Sequence, residues 1–196
     1  MPMNYHMFSQ ALISDKAALR LIWEDDLKAM AAQLGIPTPT LVLVEQPLPI
    51  FFVPSWQDRR GKAWAKNRIY IAVDVLACST NVRRYLLAHE LGHLVHHHTT
   101  KTIAGIISAA LLSLIIWLRL PSLMFPTLCC FLFTGLCWRD YRENQADDVG
   151  RTLIGAAAMM EGIQEMGRIT KTSNINERTR RLNRIAEGQQ ESRAGM

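Results

Sequence analysis

The pentapeptide His89-Glu90-Leu91-Gly92-His93 carries the residue types of metal-assisted hydrolysis at a spacing a helix can use. On a helix, positions four apart share a face one turn from each other, so both imidazoles can reach one cation. Glu90, beside the first of them, can then serve as general base toward a water that the metal activates. Two neutral imidazoles and a carboxylate suit Zn2+, with a fourth position open to water, so one zinc per chain is expected. A second pair four apart, Glu143 and Asp147, supplies the carboxylates. Glu143 would complete the coordination. Asp147 could accept the remaining ring N–H of a ligand histidine, fixing its tautomer and raising its basicity. A histidine third ligand six residues after His93, with glycine three after it, is disfavoured, since Thr99 and His96 stand there. His96, His97 and His98 read as a polar helix end near a membrane interface rather than as part of the site.

Several elements must position these groups. From Ser14, Leu19, Ile22, Trp23, Leu27, Met30, Ala31 and Leu34 recur at helical spacing, with Ser14 or Asp15 as cap and Gly35-Ile36-Pro37 as stop. Leu41 to Val44, Ile50 to Val53 and Ile69 to Val73 read as strands, and Arg59-Arg60-Gly61-Lys62 as an exposed hairpin tip. Ser79-Thr80-Asn81 can cap a helix running to about His97 that carries the pentapeptide. Arg139 to about Gly167 reads as the helix of Glu143, and Asn176 to about Glu187 as a final helix. The expected class is α+β, with a small sheet and an active-site helix.

Between Thr102 and Trp138 the only charged residue is Arg119. Ile103 to Leu118 and Ser122 to Trp138 are each long enough for about 25 Å of helix, against roughly 30 Å of hydrocarbon in a bilayer. Arg119-Leu120-Pro121 is a natural reversal between them, and Pro126 is a possible kink. A chain this small could hardly bury two helices that are apolar all round. A membrane hairpin, spanning or re-entrant, is therefore expected, with Trp117 and Trp138 near its opposite ends. Lys101, Arg139 and Arg142 flank the hairpin on the catalytic side, which favours a cytoplasmic active site at the cell (inner) membrane.

Ala32 to Val44 (AQLGIPTPTLVLV), Tyr85 to His98 (YLLAHELGHLVHHH) and Arg142 to Gly150 (RENQADDVG) resemble the M48 metallopeptidases, the HtpX and CAAX-prenyl-protease group. The resemblance runs from about Leu19 to Ile185. It implies a gluzincin fold with His89, His93 and Glu143 as zinc ligands and Glu90 as catalytic base, and many members carry an apolar hairpin at this place. The family's Asn-Ala-Phe strand is replaced by Pro49-Ile50-Phe51-Phe52-Val53, and its His-Pro segment by Thr172 to Arg178. Arg178 matches the arginine that follows that segment, a possible substrate or transition-state contact.

The remaining features bound these expectations. With 196 residues the chain divides into 1–100 (first helix, sheet and HExxH helix), 101–138 (inserted hairpin), 139–187 (third-ligand and C-terminal helices) and 188–196 (tail). Its net charge of +5 is scattered and has no accompanying aromatic-and-basic motif, so an anionic lipid surface is the expected partner rather than nucleic acid. Three of its four cysteines lie in the apolar block and no C-x-x-C pair occurs, which disfavours a disulfide framework or a thiolate zinc site. The first 23 residues contain no uninterrupted apolar run of signal-peptide type. The expected function is a membrane-associated zinc endopeptidase acting on peptide or protein segments near the bilayer, with membrane-protein quality control as one expected setting. The alternative is a non-catalytic, membrane-anchored zinc protein that binds or senses a partner.

Overall fold

A computed structural model describes residues 5–44, 61–64, 67–170 and 175–194. The first helix, α1 (Tyr5–Gln33), begins before Ser14 and Asp15, which therefore lie inside it rather than at its cap. Trp23, Leu27, Met30 and Ala31 are buried as the stripe requires, whereas Ile22 is 45% exposed. The helix stops where Gly35 takes a φ of 65°. There the amides of Gly35 and Ile36 donate to the carbonyls of Ala32 and Ala31, satisfying groups the last turn would otherwise strand.

Among the described residues the sheet has three strands, β1 (Thr40–Val44), β2 (Gly61–Trp64) and β3 (Arg68–Ala72), in the order β1-β3-β2. Central β3 pairs in parallel with β1 and antiparallel with β2. Gly61 and Lys62, expected at a hairpin tip, thus belong to a strand. A four-residue edge strand with a lysine needs no β-branched run, so its pattern is locally silent. The expected strand at Ile50 to Val53 lies outside the described residues.

Helix α2 (Thr80–Val95) starts at Ser79, whose hydroxyl accepts the Val82 amide at 3.3 Å. Tyr85 through Gly92 are all buried, so this stretch of the helix is enclosed on every side, while Thr80, Asn81 and Arg84 of its first turns are exposed. Trp23, Leu27, Ile69, Ile71 and Met159 pack in the same core, which joins α1, the sheet, α2 and the helix that begins at Ala156. His96 closes α2, and His97, at a φ of 52°, turns the chain into α3 (His98–Arg119).

After the reversal at Pro121–Leu123 comes α4 (Met124–Ile154), a single helix of 31 residues. The helix expected to start at Arg139 instead continues from the second leg of the hairpin. Nothing at Trp138-Arg139 interrupts helical geometry, and the second leg of the hairpin runs directly into the Glu143 turn. Pro126 falls in the first turn, where its missing N–H breaks no intrahelical bond and forces no kink. The break falls later, at Gly155 with a φ of 83°, and α5 (Ala156–Thr170) restarts there, so the helix expected over Arg139–Gly167 is two. The last helix, α6 (Ile175–Ala194), outruns the expected end near Glu187, and part of the expected tail has helical backbone.

Two helices, α3 and the first part of α4, form the apolar hairpin. The most hydrophobic stretch of each contains no buried residue, and Ile106, Phe125 and Phe133 are 64%, 76% and 70% exposed. Among the described residues, none buries the most apolar stretch of either leg.

Candidate metal centre

Backbone contact between α2 and α4 brings the two spaced pairs together. A Cβ on Gly92 would stand 2.6 Å from Cα and 2.7 Å from the carbonyl oxygen of Ala146, so only glycine permits this approach. Gly92 lies between the histidines' turns and Ala146 between Glu143 and Asp147. The crossing therefore aims both histidines and both carboxylates into one space.

His89, His93 and Glu143 offer ligand atoms that all lie within 4.8 Å of one another. The two Nε2 atoms are 3.2 Å apart, and Glu143 oxygens lie 3.3 Å from His89 Nε2 and 3.8 Å from His93 Nε2. Bonds of ~2.0–2.1 Å to a tetrahedral ion would put ligand atoms about 3.3 Å apart, so the donor set and its spacing fit zinc. His89 and Glu143 are buried, as is Glu90. Burial alone would lower the His89 pKa, but hydrogen bonds to Asp147 and Glu143 outweigh it and raise the value well above that of ordinary histidine. The surroundings thus favour positive charge at this imidazole.

Each histidine has its own support. His89 Nδ1 donates to Asp147 Oδ1 at 2.9 Å, leaving Nε2 toward Glu143. Burial would push the Asp147 carboxyl up in pKa, yet Arg181 and His89 hold it far below the carboxylate range. Arg181 Nε donates to Asp147 Oδ2 at 2.7 Å, and the Arg184 guanidinium stands 3.3 Å from the same oxygen. Behind His93 lies His98, with the two Nδ1 atoms 2.7 Å apart, and His98 Nε2 is 2.9 Å from Gln145 Oε1. His98 is 1% exposed, which corrects its expected place at a polar helix end: it is packed against the site.

Arg178 lies on the backbone of α6, but its side chain is outside the described residues. Arg181, one turn on, meets Asp147 instead. It stands in a run of charges, Arg180-Arg181-Leu182-Asn183-Arg184, that carries no local sign of such a contact.

The geometry defines a metal centre of two histidines from one helix and a carboxylate from another, with a glutamate beside the first histidine. A sequence model of peptidase family M48 matches residues 23–169, and the chain belongs to that family. Membership implies a zinc metallopeptidase, and peptides or proteins as substrates. No curated protein and no solved structure matched the chain.

Proposed function

We propose that the chain is a membrane-anchored zinc endopeptidase in which His89, His93 and Glu143 hold the metal and Glu90 is the general base. The convergence of the three ligand atoms within 4.8 Å, with buried Glu90 beside His89, carries this reading. Zinc bound there supplies Lewis acidity toward a peptide carbonyl and toward water. Glu90 accepts a proton as water adds to the carbonyl carbon, then delivers it to the departing amine as the C–N bond breaks. Asp147 holds His89 in the tautomer that keeps Nε2 toward the metal. The outer edge of β2, beside α2, is a place where an extended substrate can add by main-chain hydrogen bonds. Arg178 stands on α6 as a further substrate or transition-state contact.

The apolar hairpin is assigned to the bilayer. Its legs are α3, of 22 residues, and the first part of α4, and neither has a covering partner among the described residues. Arg139 and Arg142 at its base support a catalytic body on the cytoplasmic side of the cell membrane, since positive charge flanking a span favours that side. The segments 1–100 and 139–187 together make the catalytic body, and 101–138 its anchor.

Glu90→Gln protein is expected to keep stoichiometric zinc while peptide cleavage falls by roughly 10²–10⁴-fold, and Glu143→Ala is expected to lose the metal. Zinc content and cleavage of an unstructured peptide, measured on the same detergent-solubilised samples, read both outcomes. Undiminished cleavage by Glu90→Gln removes the mechanism. Zinc without cleavage in the parent protein leaves a membrane-anchored zinc-binding protein.

A further inference from the structure

With the Gln145 amide set as it stands against Tyr141, the hydrogen bonds behind His93 give each proton a direction. Gln145 Nε2 donates to the Tyr141 hydroxyl at 2.8 Å, which turns Gln145 Oε1 toward His98 Nε2 at 2.9 Å. A carboxamide oxygen only accepts, so His98 carries its proton on Nε2. Neutral imidazole protonated there has a bare Nδ1, and that atom is 2.7 Å from His93 Nδ1. His93 must then donate from Nδ1, leaving Nε2 bare toward His89 Nε2 and Glu143. The reverse setting, with the Gln145 amide turned over, puts a proton on His93 Nε2 and closes that atom to a metal.

From this geometry we infer that His98 is a positioning residue that sets the metal-binding tautomer of His93, with Gln145 and Tyr141 fixing His98 in turn. His98 opens α3, whereas Tyr141 and Gln145 ride on α4 beyond Trp138, so the relay is built from both helices at the base of the hairpin. Its base is tied together as well. Thr102 Oγ1 donates to the His98 carbonyl at 2.7 Å and accepts from Arg142 at 2.9 Å and from Trp138 Nε1 at 3.3 Å. The inference rests on the metal centre proposed above.

The test is zinc affinity of the full chain in detergent micelles, measured by competition with a chromophoric chelator. His98→Ala removes the acceptor and is expected to weaken zinc about 10–100-fold. His98→Asn keeps an acceptor oxygen near the position of Nδ1 and is expected to return to within about threefold of the parent, a rescue that lost packing would not produce. Gln145→Leu, which leaves the α2–α3 corner untouched, is expected to fall between the two and covers the case of a misfolded His98→Ala. A His98→Ala affinity within about threefold of the parent, His98→Asn as weak as His98→Ala, or a folded Gln145→Leu with parental affinity overturns the relay. If zinc binds the parent tightly and depends on Glu143, those outcomes defeat the relay alone; a parent that binds no zinc defeats the metal centre with it.

Discussion

Helices α2 and α3 follow one another in the chain and invert the usual rule of burial. Helix α2 carries His89, Glu90 and His93 and is enclosed along Tyr85 to Gly92, whereas α3, almost wholly apolar after Thr102, is exposed along its length. A buried ionisable group is costly unless paired or bound to a metal, and His89 and His93 on α2 lie among complementary groups. An apolar helix exposed all round is costly in water and not in lipid. The two helices therefore suit different surroundings, α2 a polar cluster within protein and α3, under the proposed membrane anchor, hydrocarbon, and two residues at His96-His97 separate them.

The interior side of this contrast breaks most severely if its charges are unpaired. Arg181→Leu leaves Asp147, fully buried, without its bidentate partner. The expected loss is about 3–5 kcal/mol, read from the urea midpoint, and the double variant with Asp147→Leu should recover much of it. If the single variant unfolds at the parental midpoint, Asp147 does not depend on Arg181.

In the apolar hairpin, Leu111→Arg puts a charge at the middle of the apolar stretch Ile103–Leu118 of α3 and should cost about 2.5–3.5 kcal/mol of insertion, releasing protein from membranes in an alkaline carbonate wash. Parent protein that is itself released by the wash would take the hairpin out of the bilayer.

A smaller effect is expected where the α2 and α4 backbones touch. Gly92→Ala would ordinarily strengthen a helix, but here the added methyl meets the Ala146 backbone at 2.6 Å. A loss of about 1–3 kcal/mol is expected, with weakened zinc binding as Glu143 is pushed away. A more stable variant with parental zinc affinity would show that the helices can part freely.

Smallest is a rate that leaves stability unchanged. Burial is the main cause that pushes the Cys78 thiol up to about 11, with Glu165 adding to it and Arg83 opposing. Only thiolate reacts with iodoacetamide, so a raised pKa means less thiolate at pH 8, by roughly 100-fold, and a rate that climbs toward pH 11. Urea should remove the difference. Fast labelling of Cys78 at pH 8 in folded protein would contradict its buried setting.

Local patterns in the sequence reached the elements whose signals are local. The Ser79 cap, the strands at Thr40–Val44 and Arg68–Ala72 and the four-residue spacings of both ligand pairs needed only neighbours in the chain. Groups placed by the tertiary fold were not legible. Arg181 reaches Asp147 from a charged terminal helix, and His98 is one of three successive histidines, of which burial marks out one. Continuity of α4 was hidden by a change of solvent rather than of backbone: composition shifts sharply at Trp138-Arg139, but no glycine or proline stands there to end a helix. Gly155, which does end it, lay within what read as one amphipathic stretch.

That unbroken helix also sets a height. From Cys137, the last residue before interfacial Trp138, to Glu143 is six helical steps, about 9 Å of rise along the axis. With the hairpin in a bilayer, a strand leaving the hydrocarbon covers that distance in roughly three extended residues. Bonds cut here should therefore lie only a few residues from the lipid surface, as if the chain carried a ruler fixed at its anchor.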